Sequence, residues 1–290
     1  MDQKYIDTVA DLINKSDIPL KRMEIRGVTY EDDKKKTRNM ELIDYESYGG
    51  FRLSDSWIIE NMILFSLFDG YVEENYGLQE GDSFRNHYKN LPSGTTVEEI
   101  QKNCYRIMKL MRNAITHNLS KIQADANGYD IQYVNRHNQT FRLKITKEAV
   151  QFLYTIIMML VTKKCDIQTE GHFKGVLSYY DQSAMKGISV LEDEFGIGLQ
   201  QVSGLPYTIR SLVRHRINNP RIEENTASSI KFKKYNPGYP DFPCDYVWKE
   251  GGKTYLIPEE IMTDGGETWI IARSELTGDW EWQQASSFRG

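Results

Sequence analysis

A chain of 290 residues, 40% hydrophobic and 27% charged, has the composition of a globular protein with a sizeable core, in one large or two modest domains. No run approaches the roughly 20 apolar residues a membrane span needs, which argues against a membrane partner. The net charge of −5 excludes neither nucleic acid nor protein partners, because screening confines a charge to about 10 Å and a local basic patch can act by itself.

Residues 1–17 read as a short amphipathic helix, without the basic and apolar regions of a signal peptide. EDDKKKTRN (31–39) reads as an exposed charged loop. SYGGFRL then turns into a long helix over 54–77, with Ser54 or Asp55 as N-cap and Gly77 as stop. Trp57, Ile58, Leu64, Phe65, Leu67, Phe68, Tyr71 and Val72 give that helix a broad apolar surface, so burial is expected. A shorter helix is expected at 82–91, closed by Pro92 and Gly94, with the RNHYKN cluster inside it on the surface.

The strongest helix signal lies at 95–118. Thr95 or Thr96 followed by Glu98 or Glu99 is a capping-box pattern, and Val97, Ile100, Cys104, Ile107, Met108, Met111 and Ile115 recur at helical spacing. The alternation in 128–145 reads as a hairpin or extended arm, and Thr146 caps a further helix over 146–164. Residues 171–198 are punctuated by glycine and carry no clear period. From Tyr235 the chain is rich in aromatics, Pro and Gly, and two hairpins are expected, one turning at Gly251-Gly252 and one within GGETWIIARSELTGDWEWQQ. Four of the five tryptophans fall in this tail, as the core of a small β-module would require.

Cys104, Cys165 and Cys244 are far apart and odd in number, so neither a disulfide framework nor a metal site is expected, and the chain reads as cytoplasmic. His87, His137, His172 and His215 lack ligand spacing. GGKT (251–254) has Val247 where a phosphate loop needs its first glycine, and no cofactor is expected. A basic stretch between Tyr207 and Tyr235 supplies candidate RNA-binding residues Arg210, Arg214, Arg216, Lys231, Lys233 and Lys234.

The chemistry concentrates in RNAITH (112–117), at the end of the long amphipathic helix. Asn113 and His117 lie one turn apart on one face, and the long stem of Arg112 can bring its guanidinium to the same end. A guanidinium, an amide and an imidazole form a set suited to RNA cleavage without metal: histidine moves protons near neutral pH, and arginine stabilises charge on phosphate. Glu60, Asn61 and Asp69 are polar positions on the preceding apolar helix from which a side chain could fix the His117 tautomer. Against this stands the bland reading, in which Arg112 and His117 bond the last helix carbonyls and favour the macrodipole.

The hexad RNAITH resembles the R-x4–6-H signature of the HEPN superfamily, in its form with a polar residue after the arginine. The order of long helix, short helix, motif helix and further helix resembles a HEPN bundle over about residues 50–165. The resemblance implies a mainly α helical domain (1–170) and says nothing of residues 171–290, whose composition reads as a smaller α+β or hairpin-rich module that is β-rich from about 235. It implies a homodimer with a composite site, RNA as substrate, and a metal-independent endoribonuclease leaving a 2′,3′-cyclic phosphate, with His117 as acid/base, Arg112 as phosphate-stabilising cation and Asn113 orienting. A toxin or antiviral role with a regulatory protein or antitoxin follows from the same likeness. Leu119 stands where antitoxin-modified members often carry tyrosine, which removes that mode of regulation. The alternative is a non-catalytic HEPN module binding nucleotide or protein.

Overall fold

The computed structural model describes residues 56–135, 137–162, 169–199, 207–236 and 242–282, the strands at 23–31 and 34–43, and single positions at 10, 13–14, 18, 20–21 and 202. The expected N-terminal helix at 1–17 lies largely outside these residues. Among the described residues, fourteen strands in three sheets accompany five α-helices, so the expected mainly α bundle is corrected to an α+β fold. The chain divides into two compact units, each drawn from separate stretches.

The first unit combines residues 1–21, 45–163 and 180–205. Helix α1 (Trp57–Tyr76) starts at Ser56, whose hydroxyl accepts the Ile59 N–H, and ends at Gly77 with φ 60°. The cap proposed at Ser54 or Asp55 lies outside the described residues. Helix α2 (Phe84–Asn90) is capped by Ser83, and α3 (Thr96–Asn118) carries the capping box, with Thr95 and Glu98 each accepting from the other's backbone. Helix α4 (Lys147–Thr162) begins where the Thr146 hydroxyl accepts the Ala149 N–H at 3.1 Å. Leu64, Phe65, Phe68, Ile100, Ile107, Met108, Leu153 and Ile157 are buried and join α1, α3 and α4 into one core.

Against these helices runs an antiparallel sheet of β3 (Ile122–Ala124), β4 (Gly128–Val134), β5 (Thr140–Thr146), β6 (Ile188–Asp193) and β7 (Gly196–Ile197), in that order. On β5, Phe141, Leu143 and Ile145 are buried while Thr140, Arg142, Lys144 and Thr146 face solvent, the period of a half-buried strand.

The second unit combines residues 22–44, 164–179 and 206–290. Helix α5 (Glu170–Lys186) begins in it and ends in the first unit. Its larger sheet contains β1 (Met23–Glu31), β2 (Lys34–Ile43), β8 (Val213–Ile217), β11 (Cys244–Glu250) and β12 (Lys253–Pro258), with β8 central and parallel to both β1 and β11. The smaller sheet, antiparallel throughout, contains β9 (Ile222–Asn225), β10 (Ser229–Lys233), β13 (Thr263–Asp264) and β14 (Thr268–Ala272). Val28, Ile217, Ile230, Phe232, Tyr246, Ile257 and Ile271 form its core.

Two local expectations are corrected here. Most of EDDKKKTRN is strand, not loop: β2 pairs antiparallel with β1, from Met23 opposite Ile43 to Glu31 opposite Lys34. As the last strand of its sheet, β2 has the lysine-rich composition that guards an edge against further pairing, and that composition reads as a loop. The second C-terminal hairpin does not form within its own segment either. Its strand β14 pairs with β10 and with the short β13, and the rest continues into 3₁₀ turns at Arg273–Glu275 and Gly278–Trp280. The first hairpin forms as expected, with Gly251 and Gly252 at φ 57° and 79°, a turn that non-glycine residues resist.

Candidate functional site at the end of the motif helix

Arg112 and Asn113 are half-buried, whereas His117 is exposed. The Arg112 guanidinium lies over the Phe84 ring, 4.6 Å from its centroid, and its Nη1 donates to Asn113 Oδ1 at 3.2 Å. His117 lies beside Tyr133 of β4, with ring centroids 6.2 Å apart. The end of the helix is pinned by the Val134 N–H, which donates to Asn118 Oδ1 at 3.2 Å. The Thr116 hydroxyl donates to the Arg112 carbonyl at 2.9 Å. Among the described residues, no hydrogen bond reaches either nitrogen of His117, and Arg112 bonds no carbonyl of its own helix end. Of the bland reading, the bonding of helix carbonyls is not seen among the described residues, while His117 does stand in the last turn, where its charge would favour the macrodipole. Arg112 and His117 leave the helix about 140° apart and do not touch, and no bond joins Asn113 to His117 among the described residues.

The three polar positions of α1 are engaged elsewhere. Asn61 is fully buried, and its Nδ2 lies 3.5 Å from the Tyr154 hydroxyl and 3.6 Å from Met111 Sδ. Glu60 is buried near Tyr129 and Tyr154, where its charge adds to burial in raising both phenols. Asp69 accepts from the Tyr105 hydroxyl at 2.5 Å and faces His87 Nδ1 at 3.0 Å. None of the three reaches His117 among the described residues.

This second cluster was hidden in RNHYKN, whose expected surface placement holds for Arg85, Asn86, Lys89 and Asn90 and is corrected for His87, which is 1% exposed. Its Nε2 faces the Gln79 carbonyl at 3.1 Å, and Glu73 lies 3.8 Å from the same atom. Burial opposes charge on this imidazole, yet the bonds to Asp69 and Gln79 outweigh it and raise its pKa. With acceptors at both nitrogens, His87 is placed to donate from both, as an imidazolium. Burial and the Asp69 charge together push the Tyr105 phenol far above its ordinary value. Ligand atoms of Asp69, Glu73 and His87 lie within 4.8 Å of one another, so these residues could hold a cation. An ion would have to displace the Gln79 carbonyl and take a proton from His87, and the hydrogen bonds already satisfy the group.

Further along α3, Arg106 binds both oxygens of Asp193 at 2.9 and 2.5 Å and the carbonyls of Gly196 and Gly198, and Lys109 pairs with Glu194. These buried pairs anchor the motif helix to the β6–β7 turn. Their acids lie more than eighty residues away, so helical spacing alone could not reveal them.

The candidate RNA-binding residues lie in the second unit and largely meet acids there. Arg214 is 0% exposed and is held between Asp245, at 2.8 to 3.1 Å, and Glu260, at 2.6 Å. Burial acts against both charges of the Arg214–Asp245 pair, but their mutual attraction raises the guanidinium pKa and holds Asp245 well below the carboxylate range. His172 adds a further bond to Asp245 at 3.1 Å while its other nitrogen meets the Thr169 hydroxyl at 2.8 Å. Arg210 pairs with Glu259, Lys231 with Glu224, and Lys234 with Asp264 while also lying over Trp269. Arg216 is buried above Trp282, and Lys233 is exposed.

Comparison of the chain with protein-family models, curated proteins and solved structures finds no match. Among the described residues, no helix is long and apolar enough to cross a membrane.

Proposed function

We propose that this chain is a metal-independent endoribonuclease of the HEPN type that works as a homodimer. What supports the reading is the state of the hexad. An imidazole unbonded among the described residues stands exposed at the helix end, and the guanidinium of the same hexad is held by Phe84 and Asn113 instead of by helix carbonyls. In the proposed reaction the 2′-hydroxyl oxygen of RNA attacks the adjacent phosphorus, the bond to the 5′-oxygen breaks, and a 2′,3′-cyclic phosphate remains. The hydroxyl proton must go to a base and the leaving oxygen must receive one. Histidine is the side chain that populates both states near neutral pH. One hexad supplies one imidazole, so an acid and a base together require two copies. Arg112 would stabilise the charge that builds on the phosphate oxygens. Asn113, with its Oδ1 engaged by Arg112, would present its amide N–H groups to the phosphate or the imidazole. Unrestrained RNA cleavage is toxic to its host, so a regulatory protein or antitoxin is the partner class that goes with a toxin or antiviral role.

The test is cleavage of a mixed RNA pool by wild type, Arg112→Ala and His117→Ala, each checked for folding by circular dichroism and for dimerisation by sedimentation. Each variant should lose at least about 100-fold in rate while keeping fold and association. A His117→Ala protein that binds RNA and neither it nor wild type cuts would return the hexad to the non-catalytic binding role.

A further inference from the structure

We propose that the first unit holds a binding site for a small organic cation, an ammonium or amidinium on an apolar body, in a cavity where Asp181 stands beside Asn103 and Gln182. The site is separate from the hexad and does not rest on the nuclease reading.

The cavity measures about 660 Å³, within the range of small-molecule pockets. Asp181 lines it from the last turns of α5 and is only 4% exposed, between the buried side chains of Tyr180 and Ala184. Its Oδ1 is buried with no hydrogen-bond partner, and among the described residues no cation pairs with the carboxylate. Asp193, Asp245 and Glu259, by contrast, each meet an arginine, as the cost of desolvating a charge demands. A carboxylate left this way at a cavity wall is a recognition group without its ligand.

The surroundings narrow the ligand class. Met185, one helical turn beyond Asp181, and Leu191 on β6 supply apolar wall, while Asn103 and Gln182 add amides beside the carboxylate. Lys186 and Glu192 complete the charged groups lining the cavity, and Cys104 on α3 lies close enough for the Asp181 charge to add to burial in raising its thiol. An anion would meet Asp181 and Glu192. A neutral ligand would leave the buried carboxylate uncompensated, and a bare divalent ion would find too few oxygen ligands. An ammonium or amidinium supplies the charge and N–H donors that Asp181 lacks, with a hydrocarbon body for Met185 and Leu191.

Benzamidine is the probe, with benzamide as its neutral counterpart, titrated into the full-length protein by calorimetry. Wild type should bind benzamidine saturably with a Kd of about 1 mM or tighter and prefer it to benzamide by at least about tenfold. Asp181→Asn, which keeps the shape and removes the charge, should erase that preference. Met185→Trp, which fills the cavity from the next turn, should abolish binding of both. Binding should also weaken as the pH falls below neutral and Asp181 takes up a proton. Absence of saturable binding to wild type would overturn the proposal, as would equal benzamidine affinity in wild type and Asp181→Asn.

Discussion

At the scale of single residues, Asp181 and His87 give the molecule a pH response of one sign. Burial raises the Asp181 carboxyl from 3.8 to about 7, so between those values the folded chain binds a proton that the unfolded chain has released. Stability therefore falls as pH rises through that window and levels off above it. His87, raised above 6.5, contributes stability that is full below its unfolded value and is lost as pH rises through its folded one. Urea unfolding should show wild type losing stability between about pH 5 and pH 8, and Asp181→Asn should gain on the order of 4 kcal/mol over wild type at the upper end. A variant no more stable than wild type there would mean that the carboxylate has a partner in solution. Neither group was legible in the sequence as more than a polar position. Asp181 sits in a segment whose glycines obscure the helical period, and the partners of His87 lie up to eighteen residues away on another helix.

At the scale of elements, the long-range ion pairs are what join strands and helices that the sequence separates. Arg214 of β8 reaches Asp245 of β11 and Glu260 of the 3₁₀ turn after β12, with all three side chains buried. Arg214→Ala would strip Asp245 and Glu260 of the guanidinium that binds both, leaving Asp245 its bond to His172 and Glu260 its bond from the Arg210 backbone N–H. The expected loss is about 3 to 5 kcal/mol in urea unfolding, well above the effect of breaking a surface pair such as Lys253–Glu281. A loss no greater than that of the exposed pair would show that the network is solvated. The helices were readable because their signals are local. The Thr95–Glu98 capping box, the Gly77 stop and the Thr146 cap all stand where the sequence placed them. The edge strand β2 was not, because a lysine-rich composition suits both a solvated loop and the last strand of a sheet. The hairpin expected in 265–284 failed for another reason: β14 finds its main partner in β10, and no local pattern encodes that pairing.

At the scale of the whole molecule, an α+β chain in two units carries its candidate chemistry on one long helix of the first. That helix is tied at Arg106 and Lys109 to the β6–β7 turn and at Asn118 to β4, so Arg112 and His117 project from a rigid support. The hexad and the roughly 140° between its Arg112 and His117 positions were legible in the helical period, while the neighbours each side chain meets, Phe84 for Arg112 and Tyr133 for His117, were not. The measurement that bears most directly on the proposed activity is the chemistry of RNA ends produced in the presence of EDTA. Wild type should cut in chelator and leave 2′,3′-cyclic phosphates, and His117→Ala and Arg112→Ala should leave none. Cleavage that stops with chelator, or that persists unchanged in both variants, would contradict a metal-free nuclease built on Arg112 and His117.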